Sequence, residues 1–264
     1  MKREEFKLSY IIGSGWWCGE SGNDEWLKGG DDFIRGKEFH KLWYRSIMEN
    51  FSPEKIVIID SNSPIKPDLA PDERIEFISL PLNAGHATNH AGKYCGWTRS
   101  ILAGLQYAIL SDVEYFIYVE QDALINLSEG RLNEILSTMK SPYMFGGGAG
   151  TSHSLQQSFF IIRKDGMEGF INRYFSINCN DNGVSPESKF AIAASKLWSL
   201  FPVWFWSLKP GLTSRILKLH KGFDLLPVPG GRSRPIDFSR DYYFQHGDVK
   251  EVNSHFDVRG WTRS

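Results

Sequence analysis

Two acidic residues, Glu120 and Asp122, flank Gln121 directly after the apolar run FIYV (116–119). Side chains alternate between the faces of a strand, so these two acids point apart unless the strand ends and the chain turns there. At a strand end, one carboxylate can bind a divalent cation while the other holds a cation-bound water or a sugar hydroxyl. Mg²⁺ or Mn²⁺ on a diphosphate would offset the charge that develops on a departing nucleotide. The alternative is a strand end whose acids meet water or cap the next helix.

Two further acids occupy comparable positions. Asp60 ends the apolar run KIVIID (55–60), where it can contact a ligand or cap the following turn. Glu187 follows Pro186 at the start of an amphipathic stretch. An acid there can act as a catalytic base, or it can favour the helix through its dipole alone. The residues by themselves leave both alternatives open.

Short β-type runs alternate with helix-type stretches, which is typical of a mostly parallel sheet covered by helices. Apolar residues at helical spacing predict crossover helices within 31–51 and 96–112. Ligands bind such sheets beyond the carboxyl ends of the strands, where Asp60 and residues 120–122 lie. The predicted strands are KLSYIIGSG (7–15), KIVIID (55–60), RIEFISL (74–80), YFIYVE (115–120), YMFGGG (143–148) and SFFIIRK (158–164).

Composition excludes several classes of protein. The chain has 264 residues, of which 41% are hydrophobic, and this is enough for one substantial core. Its formal net charge of −1 gives no basic face for nucleic acid. Cys18, Cys95 and Cys179 are odd in number and lack CxxC spacing, which argues against a disulfide framework or a zinc site. The charged N-terminal MKREEFKLSY is unlike a signal peptide, so we expect a cytoplasmic protein.

The most apolar stretch, residues 197–212, contains Trp198, Trp204 and Trp206. Pro202 interrupts it, and it is shorter than the ~20 apolar residues of a membrane span. We expect a core or lid segment, because tryptophans bury large apolar areas. The alternative is a peripheral contact with a membrane or with a lipid-linked acceptor, since tryptophan suits interfaces.

The order of these motifs resembles that of the GT-A glycosyltransferases, in particular the family-2-like members. VEQDAL (119–124) occupies the place of their DxD motif, with Glu120 departing from the first Asp. Upstream, LPLNAGHATNHAG (80–92) resembles their NxG segment. The resemblance covers about residues 8–190 and rests on order as much as on identity.

This resemblance implies the fold class and its organisation. The fold would be an α/β, GT-A-like αβα sandwich with a mostly parallel central sheet. One domain would span 1–264, with about 1–125 binding the nucleotide sugar and about 126–264 binding the acceptor. The activity would be sugar transfer from a nucleoside diphosphate, a UDP-sugar rather than a GDP-sugar, to a glycan or lipid-linked glycan.

The resemblance also carries donor-binding roles over, one residue at a time. Asp60 would contact uracil or ribose, and Asn83 and Gly85 would lie against the nucleoside. Basic residues would face the donor phosphates, with their guanidinium groups matching phosphate oxygens in pairs. The implied donor-binding residues are Asp60, Asn83, Gly85, Arg99, Glu120, Gln121, Arg232 and Arg234.

A metal site and a catalytic base are implied as well. Asp122 and His246, with Glu120, would bind the cation, and a nitrogen ligand favours Mn²⁺ over Mg²⁺; His255 competes for the histidine position. The base of an inverting reaction would be Glu187 in PES (186–188), or else Asp181. The segment MFGGGAGTSH (144–153) would let the donor sugar and the acceptor approach the backbone.

Two other functional classes stay open. A sugar-1-phosphate nucleotidyltransferase shares the sheet architecture, but its opening glycine-rich loop carries Arg and Lys, which GSGWWCGESGNDEW (13–26) lacks. A catalytically inactive carbohydrate-binding relative would explain the altered EQD and PES motifs. Transfer or hydrolysis of nucleotide sugars separates these possibilities.

Overall fold

The structure is a computed structural model that describes residues 8–19, 32–87, 92–148, 151–207 and 210–261. Its strands are β1 (Tyr10–Trp16), β2 (Lys55–Asp60), β3 (Ile75–Ser79), β4 (Tyr115–Val119), β5 (Ala123–Asn126), β6 (Tyr143–Gly147), β7 (Leu155–Arg163), β8 (Asp224–Leu225), β9 (Gly230–Gly231) and β10 (Tyr242–Gln245). Its helices are α1 (Phe39–Asn50), α2 (Gly96–Leu110), α3 (Arg131–Thr138), α4 (Lys164–Ser176), α5 (Pro186–Ala193), α6 (Val203–Trp206), α7 (Pro210–Leu219) and α8 (Val249–Arg259). Two short 3₁₀ turns span Asp32–Arg35 and Trp198–Leu200.

In the described parts of the chain, seven strands form the central sheet in the order β3-β2-β1-β4-β7-β6-β8. Strands β3, β2, β1 and β4 are mutually parallel, and β8 runs parallel to β6. Strand β7 opposes its neighbours, since it is antiparallel to both β4 and β6. The predicted α/β fold with a mostly parallel sheet is therefore confirmed.

The parallel strands bring several chain segments to one edge of the sheet. Trp16 at the end of β1 lies opposite Asp60 at the end of β2, which in turn lies opposite Ser79. Strand β4 is next to β1 and ends at Val119. The residues that follow these strands therefore start from the same carboxyl edge, where the sequence places its candidate acids.

A second sheet, in the order β5-β10-β9, was not predicted. Strand β5 begins at Ala123, immediately after the acidic turn, and Ala123 pairs with Gln245 of the antiparallel β10. This pairing brings His246, the next residue, toward Asp122. The β4–β7 pair joins segments on either side of the predicted boundary near residue 125, and β5, which spans that boundary, pairs with β10.

The core lies on both faces of the central sheet. Neighbouring residues of β7 show the alternation of a strand: Phe159 packs on the α1 side with Trp43, and Phe160 packs on the α2 side with Phe170 and Phe190. Strands buried on both faces explain the nearly continuous apolar runs in the sequence.

The aromatic segment near residue 200 is divided between core and surface. Trp198 and Trp206 are buried, as expected for a core segment, whereas 72% of Trp204 is exposed. Across the described parts of the chain, no helix combines the length and the apolar character that a bilayer crossing needs.

Candidate functional site

The chain turns sharply at the end of β4. The Glu120 amide donates to the Ser158 carbonyl at 2.8 Å, and the Ala123 amide donates back to the Glu120 carbonyl at 3.0 Å. The Trp43 indole also donates to the Glu120 carbonyl, at 3.1 Å. This turn lets the acidic pair leave the alternation of the strand, as the sequence suggested.

Asp122 is buried and meets two basic groups. Its Oδ2 lies 3.5 Å from His246 Nε2 and 3.6 Å from the Arg35 guanidinium. Its Oδ1 is buried and has no hydrogen-bond partner among the described residues. His246 follows β10 with a φ of 56°, a conformation that is uncommon outside glycine and that often marks a functional position.

The predicted metal ligands are only partly brought together. Asp122 and His246 are close, but the described residues contain no group of three or more His, Cys, Asp or Glu side chains arranged to bind a metal ion. The predicted set of Glu120, Asp122 and His246 is not assembled in this arrangement, and it stays a prediction. His255, the competing histidine, lies elsewhere: it is buried, with Nδ1 2.8 Å from the Tyr242 hydroxyl.

Glu120 lies among four charged groups. Burial raises the pKa of its carboxyl to about 8, and Asp122 and, more weakly, Glu187 act in the same direction. Arg35 and Arg232 oppose the shift because they favour the carboxylate. A cluster of opposite charges around a strand end is typical of a ligand-binding site.

Two cavities of about 900 and 150 Å³ adjoin Glu120. Glu120, Trp97 and His86 line both of them, so the two cavities share a wall. The smaller cavity also contains Arg35, Asn83, Gly85, Gln121 and Asp122. The larger one also contains His153, Gln156, Asp181, Glu187 and Arg232.

The predicted nucleoside residues divide into two groups. Asn83, Gly85 and Gln121 line the smaller cavity. Gln121 fixes its wall, because the side chain accepts from the Trp17 amide and donates to the Trp17 carbonyl, both at 2.7 Å. The Asn83 side chain accepts from the Gly85 amide at 2.8 Å, which stabilises the NxG turn. Positions 88–91 of the predicted NxG segment lie outside the described residues.

Asp60 and Arg99 line neither cavity. The buried Asp60 carboxylate accepts from the Ser63 amide, the Ser63 hydroxyl and, at 2.6 Å, the Ser79 hydroxyl. The Arg99 side chain donates to the Tyr94 carbonyl at 3.0 Å. In this arrangement both residues hold loops in place at the carboxyl edge.

Glu187 lies on the first turn of α5 and faces the larger cavity. The helix starts there because the Ser185 side chain accepts from the Ser188 amide and Pro186 takes the first helical position. The Glu187 carboxylate is partly exposed and lies 3.8 Å from His153 Nδ1. This placement leaves its oxygens open to a ligand in the cavity.

Asp181 borders the same cavity, but its carboxylate is engaged by three donors. It accepts from the Thr98 hydroxyl and the Cys95 amide, each at 2.7 Å, and from Lys189 at 2.8 Å. The ion pair with Lys189 is completely buried. Of the two predicted bases, Glu187 is therefore the better placed to accept a proton.

The two predicted arginines also differ. Arg232 lines the larger cavity, and its amide donates to the Gln156 side chain at 2.6 Å. Gly231 has a φ of 68°, and a side chain there would collide with Gln156, so glycine is needed for this approach. Arg234 lines neither cavity; it pairs with Glu251 and donates at 2.9 Å to the carbonyl of Gln245, a residue that lines the larger cavity.

The glycine-rich segment contributes to the larger cavity through Thr151, Ser152 and His153. Its first glycines, Gly146 and Gly147, belong to β6. Positions 149 and 150 lie outside the described residues. The described part of this segment therefore borders the larger cavity, and its expected role in the approach of the donor sugar and the acceptor stays a prediction.

Two residues of the site, Arg35 and His153, were not predicted individually. Arg35 belongs to a 3₁₀ turn that is far from Asp122 along the chain, and no local pattern marks it. His153 closes the glycine-rich segment, where its proximity to a cavity could have been inferred from the motif. Only the fold shows that it faces Glu187.

No protein-family model matches this sequence, and no curated protein matches it. Among solved structures, HddC from Yersinia pseudotuberculosis is similar, with a TM-score of 0.36 and 13% identity. The match covers 61% of this chain and 79% of that chain. A likeness at this level supports no conclusion about fold or function.

Proposed function

We propose that this chain is a glycosyltransferase that moves a sugar from a nucleoside diphosphate to a hydroxyl acceptor with inversion at the anomeric carbon. One observation carries the proposal: Glu120, at the turn that contains Asp122, and Glu187, from a distant helix start, line one large cavity that adjoins a smaller one. Transfer needs such an arrangement, with leaving-group stabilisation at one wall and a base at another.

The smaller cavity is the proposed nucleoside subsite. Its walls combine the Trp97 ring with polar groups of Asn83 and Gln121, a mixture that suits a nucleobase and ribose. A UDP-sugar is the proposed donor, as the resemblance to GT-A glycosyltransferases implies. Arg35 and Arg232 lie near the shared wall, where their guanidinium groups would pair with the diphosphate.

Asp122 and His246 fit a divalent cation. The Asp122 carboxylate is buried with one oxygen unpartnered among the described residues, and an imidazole lies next to its other oxygen. An oxygen and nitrogen pair of this kind suits Mn²⁺, with Mg²⁺ as the alternative. When bound, the cation would offset negative charge on the departing nucleoside diphosphate.

Glu187 is the proposed base. Its carboxylate would take the proton of the acceptor hydroxyl while that oxygen bonds to the anomeric carbon and the bond to the diphosphate breaks. A positioned base contributes typically ~10²–10⁴-fold to the rate. Asp181 would act as a positioning residue, since its bonds to Thr98, Cys95 and Lys189 join α2 to α5.

The acceptor would occupy the larger cavity. Its volume of about 900 Å³ leaves room for sugar units beyond the donor sugar, and polar side chains such as Gln156 and Ser152 line it. These groups suit the hydroxyls of a glycan. A glycan or a lipid-linked glycan is therefore the proposed acceptor class.

The proposal is tested by incubating the purified protein with a panel of UDP- and GDP-sugars and Mn²⁺, with and without a chelator. We expect release of the nucleoside diphosphate from one UDP-sugar, and loss of that release when the cation is removed. Pyrophosphate release from a nucleoside triphosphate and a sugar 1-phosphate would instead identify a nucleotidyltransferase. Sugar binding without any turnover would identify a carbohydrate-binding protein.

A further inference from the structure

The segment from the end of α5 to residue 221, just after α7, has an unusual charge. No Asp or Glu occurs between Glu187 and Asp224, although the whole chain has a net charge of −1. The segment contains four exposed cationic residues, Lys196, Arg215, Lys218 and Lys221. Lys209 adds a fifth cation in the sequence but lies outside the described residues.

Exposed apolar side chains lie within the same segment. They include Leu200, 81% exposed, and Trp204, 72% exposed. The other large apolar residues exposed in this segment are Leu197, Phe201, Leu212 and Leu219. Single exposed apolar side chains are common, whereas several large ones within one segment often mark an interaction surface.

Local packing places the apolar and basic groups on one unit. The Trp198 indole donates to the His220 carbonyl at 2.7 Å, which holds the end of α7 against the turn that contains Leu200. The Trp198 and Phe201 rings lie 5.5 Å apart, and Phe201 and Phe205 lie 5.0 Å apart. The buried Trp198 ring thus joins the turn that carries Leu200 and Phe201 to the end of α7, where Lys218 and Lys221 are exposed.

We infer that this docking surface, formed by Lys196, Leu200, Trp204, Lys218 and Lys221, rests on an anionic phospholipid membrane. Charge complementarity supports this occupant, because a segment with four exposed cations and no acidic residue between Glu187 and Asp224 is attracted to anionic headgroups. Tryptophan and leucine would enter the interfacial layer while the lysines stay at headgroup level. Two signals of this kind, apolar insertion and basic charge, together give stable membrane binding.

The segment that carries this surface also lines the larger cavity. Trp206 and Thr213 come from this segment and line that cavity, and the Thr213 hydroxyl donates to the Trp206 carbonyl at 3.3 Å. If the proposed transferase activity is correct, a docked molecule would hold its acceptor cavity beside the bilayer. This part of the inference rests on the proposed function and selects a lipid-linked acceptor. Membrane binding itself does not depend on catalysis.

Vesicle flotation without nucleotide or sugar tests the surface directly. The full chain is mixed with vesicles of phosphatidylcholine alone, or of phosphatidylcholine with an equal amount of phosphatidylglycerol. We expect flotation with the anionic vesicles only. Trp204→Ser, and separately the combined Lys218→Ser and Lys221→Ser, should weaken binding roughly tenfold or more, because each contact contributes independently.

Matched controls come from other parts of the chain. Leu110→Ser removes an equally exposed leucine at the far end of α2, and Lys250→Ser removes an exposed lysine on α8. Both variants should float like the parent protein.

The inference is overturned if the parent does not bind anionic vesicles or binds neutral vesicles equally well. It is also overturned if the control variants lose as much binding as Trp204→Ser and the double lysine variant. It is also overturned if Trp204→Ser converts a dimer to a monomer by light scattering while vesicle binding is unchanged, since the surface would then cover a second copy. If the parent protein does not float with vesicles but still transfers sugar, the membrane inference is wrong and the proposed function is unaffected.

Discussion

Lys189 Nζ lies 2.8 Å from Asp181 Oδ1, and neither side chain has any exposed surface. The same carboxylate accepts from the Thr98 hydroxyl and the Cys95 amide at the start of α2. Lys189 also donates to the Cys179 carbonyl at 2.5 Å. This buried pair connects α2 with α5. It therefore positions Glu187, which lies on the first turn of α5.

Asp181→Asn should lower the free energy of unfolding by ~3–5 kcal/mol, because it leaves the Lys189 ammonium buried without a counter-charge. Urea denaturation followed by circular dichroism measures this. Asp165→Asn is the matched control, since Asp165 forms an exposed ion pair with Arg163 and should cost less than about 1 kcal/mol. Equal losses in the two variants would mean that the buried pair does not stabilise the fold.

Asp122→Asn should reduce turnover far more than Glu120→Gln. Asp122 is next to His246 and has an oxygen that no described residue satisfies, as expected for a direct cation ligand, whereas Glu120 stands at the cavity junction. Loss of an indirect partner typically costs ~10–100-fold. Steady-state rates at saturating Mn²⁺ decide the matter. Equal and mild losses would remove the metal-site assignment.

Trp206→Ser should lower the free energy of unfolding by ~3–5 kcal/mol, because only 2% of this side chain is exposed and its loss leaves a cavity. Trp204→Ser, two residues away, should change it by less than about 0.5 kcal/mol, since Trp204 is mostly in water. Urea denaturation of the two variants makes the comparison. A large loss for Trp204→Ser would show that its ring packs against the protein.

Two buried histidines should make stability depend on pH. Burial lowers the pKa of His40 from its usual 6.5 to about 4 and, together with Arg259, lowers the pKa of His255 to about 3. Below pH 6.5 the unfolded chain therefore binds protons that the folded chain excludes. The free energy of unfolding should fall as the pH drops from 6.5 to 5, by up to ~1.4 kcal/mol per pH unit for each histidine.

Urea denaturation between pH 7 and 5 measures this slope. Most carboxyls stay ionised in this range, but Glu120, with its pKa raised to about 8, contributes with the opposite sign, so the histidine contribution is read from the difference between the parent and the variants. His40→Asn and His255→Asn should each reduce the slope, even though each variant is less stable at pH 7. The double variant should show the smallest slope. An unchanged slope in the double variant would assign the pH dependence to other groups.

The fold followed from the sequence where apolar periodicity was strong. KIVIID matches β2 residue for residue, and α2 begins at Gly96, the first residue of its predicted stretch. Strand β5 was missed because its apolar run is short and its partner β10 lies far along the chain. Its pairing depends on tertiary structure, which a local pattern does not contain.

The candidate site was less accessible to sequence reasoning. Asp60 and Asp122 both come at the ends of apolar runs. The Asp60 carboxylate accepts hydrogen bonds from Ser63 and Ser79, whereas Asp122 has an oxygen without a partner among the described residues. The serine three residues after Asp60 was a usable signal, because such residues favour local side-chain to backbone bonds. Nothing local could bring Arg35 to Asp122, since only the fold joins these segments.

Glu187→Gln tests the central claim most directly. Gln keeps the shape and hydrogen bonding of the side chain but cannot take a proton, so transfer should fall by at least the ~10²-fold that a positioned base supplies. Binding of the UDP-sugar, measured by calorimetry with Mn²⁺, should stay close to that of the parent protein because Glu187 lies outside the nucleoside cavity. Near-normal turnover in this variant would contradict the account, since the acceptor proton would then leave by another route.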